Sequence, residues 1–468
     1  MSGCVPFSAA EVVGWTDGVL VRGAVGASAE GASIDTRTLE AGDAFFAIRG
    51  PNHDAHDHLA TAIEAGAALL VLERGRSLPD TGAADLAIVE VDDTTLALAA
   101  VARGHRAGFH GALVGLTGSS GKTTTKEMCA AVLSAQAPCL ATRGNLNNDY
   151  GVPLTLLSRR PEHELAVIEM GMNHRGEIAR LAAIAEPGIG LVTNIGTAHI
   201  EFLGSQDEIA LEKGDLFAAL PAGGIACANL DDPRVAEQVR RAPCDTLSYG
   251  RAPEAAIRAG SVRFDAGRFH IEIEAPEARC EVAVRGLSET TVINSLASTA
   301  VGLAAGLSLG QVAQGLTGYQ PIGGRMTPVP LESGITLIDD SYNANPDSMA
   351  QALESLRALA NGARAIAVVG DMGELGDAAD SAHRETGAQA ARLGIDALFA
   401  FGERAPLVCE GAVAAGLAAT AVAAVTSHAD AAERVTALAR AGDWVLIKGS
   451  RAMQMERVVR ALDGSEAS

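Results

Sequence analysis

Aromatic side chains are scarce in this 468-residue chain, at 3 % of the composition. The cores must therefore be closed mainly by Ala, Val, Leu and Ile, which suits parallel sheets with helices packed closely on them. Positive charge is also short: 36 Lys and Arg face 57 Asp and Glu, a net charge of −21. That balance disfavours broad binding to nucleic acid or to an anionic membrane surface. An anionic ligand would have to be held by local devices such as loop amides, helix N-termini, a few cations and metal ions. The seven cysteines show no C-x-x-C pairing, which argues against a disulfide framework or zinc site and for reduced thiols in a cytoplasm. The opening "MSGCVPFSAAEVV" lacks a basic stretch followed by an apolar core, so no signal peptide is expected. The uncharged run 411–427 is mostly Ala and Gly, and it reads as a helix end, a turn and a buried strand rather than as a membrane span.

At roughly 150 residues per domain, about three domains are expected, and the chain divides by grammar. Residues 1–91 alternate short apolar strands ("DAFFAIRG", "AALLVLE", "LAIVEV") with polar loops. Residues 92–322 open with a helical lead-in over 94–107, followed by strand, glycine-rich turn and helix in "GALVGLTGSSGKTTTKEMCAAVL". Further buried strands follow in "LAVIEMG" and "IGLVTNIG", and residues 261–286 alternate around an Asp-Ala-Gly turn as a small antiparallel subsheet. Residues 323–468 return to doubly wound style in "ITLIDD", "AIAVVGD", "ALFAFGE" and "WVLIKGS". The expected class is α/β: a central, mostly parallel P-loop-type sheet with an antiparallel appendage, and a C-terminal Rossmann-like unit. In open α/β sheets ligands sit at the carboxyl ends of strands, so chemistry is sought there.

The stretch "GLTGSSGKTTTKE" (115–127) departs from G-x-x-x-x-G-K-[ST], because Leu116 stands where the first glycine belongs. Its chemical parts are nonetheless present. Gly118 and Gly121 allow a tight turn around Ser119 and Ser120, Lys122 can reach β/γ-phosphates, and Thr123 offers a hydroxyl to Mg²⁺. Amides from Lys122 through Thr124 open the helix. The alternative, a strand-to-helix turn without a ligand, is disfavoured by the buried strand in front. Glu169 ends another buried strand and is a second Mg²⁺-ligand candidate; the alternative is a surface carboxylate. "NHDAHDH" (52–58) suggests a metal through His53, His56 and His58, but a loop or a helix start capped by Asp54 fits better, because no Cys or distant His completes the spacing.

Taken in order, the T-G-S-S-G-K-T loop, "RGNLNNDYGVPLTLL" (143–157), "VIEMGMNHRGEI" (167–178), "VTNIGTAHIEFLGSQDEIALEKGDLF" (192–217), "GGRM" (323–326), "IDDSYNANPDSM" (338–349), "VVGDMGELG" (368–376) and "KGSR" (448–451) resemble the Mur ligase family across nearly the whole chain. "DDSYNANP", "GDMGELG" and "SIDTRTLEAGDAFFAIRG" look like its branch that joins D-alanyl-D-alanine to UDP-N-acetylmuramoyl-tripeptide. A sister ligase adding another amino acid, and a nucleotide-dependent binding module, are the alternatives.

The resemblance implies an ADP-forming ligase of peptidoglycan synthesis that activates a carboxylate as an acyl phosphate. The first unit would bind the UDP-sugar, the second ATP and the third the dipeptide. It implies catalytic roles for Lys122, Glu169, His199, Lys213, Arg325 and Asp340. His199 and Lys213 would surround a second Mg²⁺, with Lys213 as a carbamate; pattern alone favours a surface pair of Lys213 with Glu212 or Asp215. Asn294 and Arg325 would join the ATP site, although Thr290 and Thr291 stand where the family places a His-Asn pair against adenine. Ser33, Asp35, Thr36 and Arg37, with Asn145, Asn147 and Asn148, would read the UDP substrate. Asn343, Asn345, Lys448 and Arg451 would meet the dipeptide. A cytoplasmic monomer, without nucleic-acid partner or membrane insertion, is expected.

Overall fold

The computed structural model describes residues 3–77 and 86–465. In the first unit a five-stranded sheet runs in the order Val19–Arg22, Ala87–Val91, Leu69–Glu73, Ala44–Phe46, Ala32–Ser33, parallel except for its first pair. The helix Ala9–Thr16 starts at a capping box in which Ser8 and Glu11 satisfy each other's backbone amides. The helix Thr94–Arg106 is capped by Asp93, which accepts from the amides of Thr95 and Leu96. This helix buries one side on the first unit and the other on the helices Gly151–Leu157 and Glu177–Ala185, so one apolar core runs through the break expected at residue 91.

The central unit is built on nine strands. From Cys139–Ala141 the order is Leu165–Glu169, Ala112–Thr117, Ile189–Val192, Ile225–Asn229, Asp245–Gly250 and Ile257–Asp265, all parallel, then Arg268–Ala275 and Ala278–Arg285, antiparallel. The Asp-Ala-Gly turn lies as expected, with Ala266 (φ 48°) and Gly267 (φ 75°) both left-handed, the backbone that a two-residue hairpin requires. The antiparallel part is larger than expected, its pairing beginning at Arg258, and it continues the main sheet rather than standing apart. The helices Lys122–Ser134, Thr290–Ala304 and Leu309–Gly318 cover one face, and Glu177–Ala185 and Gln206–Ala218 cover the other. Gly315 lets two of the helices touch backbone to backbone: a Cβ there would lie 2.4 Å from Val132 Cα.

The third unit has six strands in the order Thr327–Pro330, Thr336–Asp340, Trp444–Lys448, Ala365–Gly370, Ala397–Phe401, Val422–Val425, parallel except for the first pair. The last of these falls where a buried strand is expected in 411–427, but it lies at the sheet edge and buries only Val425. No helix among the described residues is long and apolar enough to cross a membrane. His56 is structural: its imidazole lies 2.6 Å from Asp54, which also caps the short helix at 55–58, and Nε2 accepts from the Glu73 amide.

Candidate active site

The parallel strands of the central sheet end in a cleft of about 1670 Å³, walled by the central and third units. At its base the strand Ala112–Thr117 turns through Gly118–Gly121 into the helix Lys122–Ser134. Gly118 has no space for a side chain, since a Cβ would stand 1.8 Å from Thr193 Oγ1, and Gly121 has φ 72°. The loop is braced by the end of the neighbouring strand. Asn194 Oδ1 accepts from Ser120 N (2.9 Å) and Oγ (3.2 Å), its Nδ2 donates to Ser120 O (3.0 Å), and its carbonyl accepts from Ser119 N (3.0 Å). Sequence reading missed Asn194; the signal available was its place just past a buried strand.

Lys122 folds back to donate to Gly118 O at 2.7 Å. Burial lowers its pKa, Glu169 opposes that shift and Arg325 adds to it. Glu169 is buried, so a surface role is excluded. One carboxylate oxygen accepts from Asn147 Nδ2 at 2.8 Å; the other, Oε2, is buried with no hydrogen-bond partner among the described residues. An unpartnered buried carboxylate oxygen is costly unless a cation meets it. Together with the Thr123 hydroxyl, this donor set suits Mg²⁺, which binds through one or two carboxylates plus phosphate and water. Among the described residues no group of three or more His, Cys, Asp or Glu is disposed to hold a metal on its own.

Lys213 is not a surface residue paired with its neighbours. It is 1 % exposed, lies beneath the loop, and donates to the same Gly118 carbonyl at 3.0 Å. Glu212 instead accepts the amides of Gly176 and Ile178, and Asp215 binds Arg241. Burial drives the Lys213 pKa well below the usual lysine range, and Lys122 adds repulsion. His199 turns elsewhere: Nδ1 lies 2.6 Å from Glu374 of the third unit, and the pair holds the Glu374 carboxyl below its ordinary range. Both residues have left-handed backbones, φ 66° and 62°. The structure thus gives His199 and Lys213 different partners.

Arg325 reaches across from the third unit. Its guanidinium donates to Thr123 Oγ1 at 3.1 Å and lies 4.0 Å from the centre of the Tyr342 ring. Asp340 accepts from Lys448 Nζ at 2.6 Å and from the Met326 amide, and Lys448 also donates to Asn343 O. Lys448 is therefore a buried partner of Asp340 at the wall of the cleft. Asn343 Oδ1 accepts from the Arg451 amide, and Asn345 caps the helix Pro346–Ala360. Asn294 stands over the loop, 3.5 Å from where a Gly121 Cβ would lie, and Thr290 and Thr291 both line the cleft, Thr291 lying close against Gly286. Ser119, Ser120, Thr124, Asn145, Asn147 and Asn148 line the cleft too, although Asn148 spends its oxygen on the amides of Tyr150 and Gly151. Ser33, Asp35, Thr36 and Arg37 are not among the residues lining it. There Arg37 pairs with Asp35 at 2.6 Å.

Comparison with known proteins agrees along the chain. The models described as the Mur ligase family catalytic domain, the Mur ligase middle domain and the Mur ligase glutamate ligase domain match residues 29–106, 116–302 and 324–451. The UDP-N-acetylmuramoyl-tripeptide–D-alanyl-D-alanine ligase of Bacillus subtilis is 34 % identical over 438 residues, 94 % of each chain. A crystal structure of MurF from Acinetobacter baumannii superposes with a TM-score of 0.89 at 33 % identity, covering 99 % of this chain and 100 % of that one. MurF of Thermotoga maritima, solved in complex with ADP, gives a TM-score of 0.81 at 28 % identity over 93 % of this chain and 97 % of its own. With its order of motifs, its three units and full-length relatives of this kind, the chain belongs to the Mur ligase family.

Proposed function

We propose that the protein is an ATP-dependent, ADP-forming amide ligase that joins D-alanyl-D-alanine to UDP-N-acetylmuramoyl-tripeptide. The observation that carries this reading is the meeting of Lys122, Thr123 and the unpartnered Glu169 Oε2 at a helix start, with Arg325 brought there from the third unit. Full-length relatives bearing that enzyme name support the choice of substrates.

A carboxylate resists attack by an amine until its oxygen becomes a good leaving group, so ATP first phosphorylates it and the amine then displaces phosphate. Two anions must meet in the first step. Lys122 releases Gly118 O to reach the β/γ-phosphates, amides of the turn and helix start from Gly121 to Thr124 cradle them while Asn194 holds those of Ser119 and Ser120, and Arg325 adds charge from the facing wall. Mg²⁺ at Glu169 and Thr123 would supply further neutralisation of phosphate charge. The third unit closes the cleft and keeps water from the activated carboxyl. In this scheme residues 1–91 bind the UDP-sugar, 92–322 ATP and 323–468 the dipeptide. Asn145, Asn147 and Asn148 line the tripeptide's approach, and Asn343 and Arg451 face the incoming amine. Asp340 holds Lys448 and the 343–345 loop in place. Lys213 is carbamylated in the active enzyme; its depressed pKa supplies the neutral amine that CO₂ requires, at the expense of its bond to Gly118 O.

Phosphate release with ATP, Mg²⁺ and D-Ala-D-Ala, with and without each UDP-tripeptide, tests the reading. Stimulation by both substrates is expected, and slow hydrolysis indifferent to them would overturn it. In Lys122→Ala and Glu169→Ala turnover should fall by about a hundredfold or more, with folding checked by circular dichroism.

A further inference from the structure

One carboxylate at the cleft has no place in the scheme above. Asp347 is the second residue of the helix Pro346–Ala360 in the third unit. Its Oδ2 accepts from both the amide (3.0 Å) and the hydroxyl (3.2 Å) of Thr197 in the central unit. Thr197 belongs to the segment that leaves the strand Ile189–Val192, and three residues earlier that segment carries Asn194, the brace of Ser119 and Ser120. Gly196 is threaded between the two: a Cβ there would lie 2.3 Å from Asp347 Oδ2 and 3.4 Å from Ser119 Cβ. Gly196 does not have a positive φ, so what demands glycine is space. The helix N-terminus stabilises the charge of Asp347, and charge-assisted bonds to a backbone amide are among the stronger kind. Near phosphates a free carboxylate would repel; here Thr197 engages it.

We propose that Asp347 is a positioning residue for ligation. It docks the third unit onto the 194–197 segment, so that closure and the set of the phosphate loop are one event and Arg325 arrives only when the loop is braced. This rests on the ligase reading above. The coupling acts through Thr197, Gly196 and Asn194, with no contact between Asp347 and the reacting atoms.

The test compares wild type, Asp347→Ala, Asp347→Asn and Gly196→Ala in three measurements: steady-state ligation, ATP affinity by titration without the other substrates, and radius of gyration by small-angle scattering with all ligands saturating. For Asp347→Ala and Gly196→Ala the expected result is turnover lowered about ten- to a hundredfold, ATP affinity within about threefold of wild type, and a liganded particle that stays expanded. Asn keeps a carbonyl acceptor for Thr197, so Asp347→Asn should recover most of the turnover. The proposal is overturned if Asp347→Ala turns over within twofold of wild type, if ATP affinity falls in step with turnover, or if the liganded variant compacts as wild type does. A wild type that forms no amide would sink the ligase reading instead, and compaction in the variants would still decide the role of Asp347.

Discussion

At the scale of single residues, charge placement sets what the cleft can do. Lys213 is the clearest case, an amine packed under the loop with its proton disfavoured by burial and by Lys122. Carbon-13 NMR on protein equilibrated with labelled bicarbonate should show a carbamate resonance that is missing in Lys213→Ala. At the opposite extreme is Asp35, whose carboxyl is drawn down to about 2 by its side-chain and backbone bonds from Arg37. A depressed carboxylate stabilises the fold above its unfolded pKa and loses that contribution as pH falls through the folded one. The Asp35 side-chain resonance should therefore titrate near 2 in wild type and move towards the ordinary carboxylate range in Arg37→Ala. Residues of this kind were legible to different degrees. Lys122, Thr123 and Glu169 stand in short motifs whose chemistry is written locally. Asn194, Asp347 and Glu374 were not legible, because each matters through a residue far off in the chain: Asn194 is 74 positions from Ser120, and Asp347 is 150 from Thr197. Separation along the chain likewise hid the pairing of Lys448 with Asp340, 108 positions away.

At the scale of elements, apolar runs ending in glycine or acid identified many of the strands, because a strand buried on both faces writes itself as a continuous run, but Ile225–Asn229 and Asp245–Gly250 of the central sheet went unread. Edges were harder. Val422–Val425 reads as buried from composition, yet Ala and Val at an edge leave only Val425 covered. Nor could periodicity say whether the hairpin strands would join the main sheet, since that depends on Tyr249 pairing with Ile257 across an intervening loop. Helix packing gives a quantitative test. Gly315→Ala would press a methyl onto the Val132 backbone and should cost about 1–3 kcal/mol in urea denaturation, the range for overpacking. Gly310→Ala, in the same helix, has nothing nearer than 3.9 Å and should be neutral or stabilise by up to about 1 kcal/mol.

For the whole molecule, the polar contacts that tie the third unit to the central one include Arg325 to Thr123, Asp347 to Thr197, Glu374 to His199 and Ser355 to Ser288. The first two units share a continuous apolar core as well as polar contacts, among them Val5 N to Arg159 O and Thr94 Oγ1 to Ala47 O. Ligand should therefore act unevenly. ATP with Mg²⁺ at a hundred times its dissociation constant should stabilise the central unit by about 2.7 kcal/mol, read by calorimetry as an upward shift of the transition that carries the first two units. Lys122→Ala should abolish the shift. The nine-stranded sheet adds a mechanical consequence. Phe264 and Phe269, at its hairpin end, line the same cleft as the loop at Gly118–Gly121. A single hydrogen-bonded lattice therefore spans from one to the other and fixes the distance between these two parts of the cleft. Under the closure proposed above the molecule would work as a vice, the central sheet its cast jaw and the third unit, tipped by Arg325, the jaw that shuts the gap.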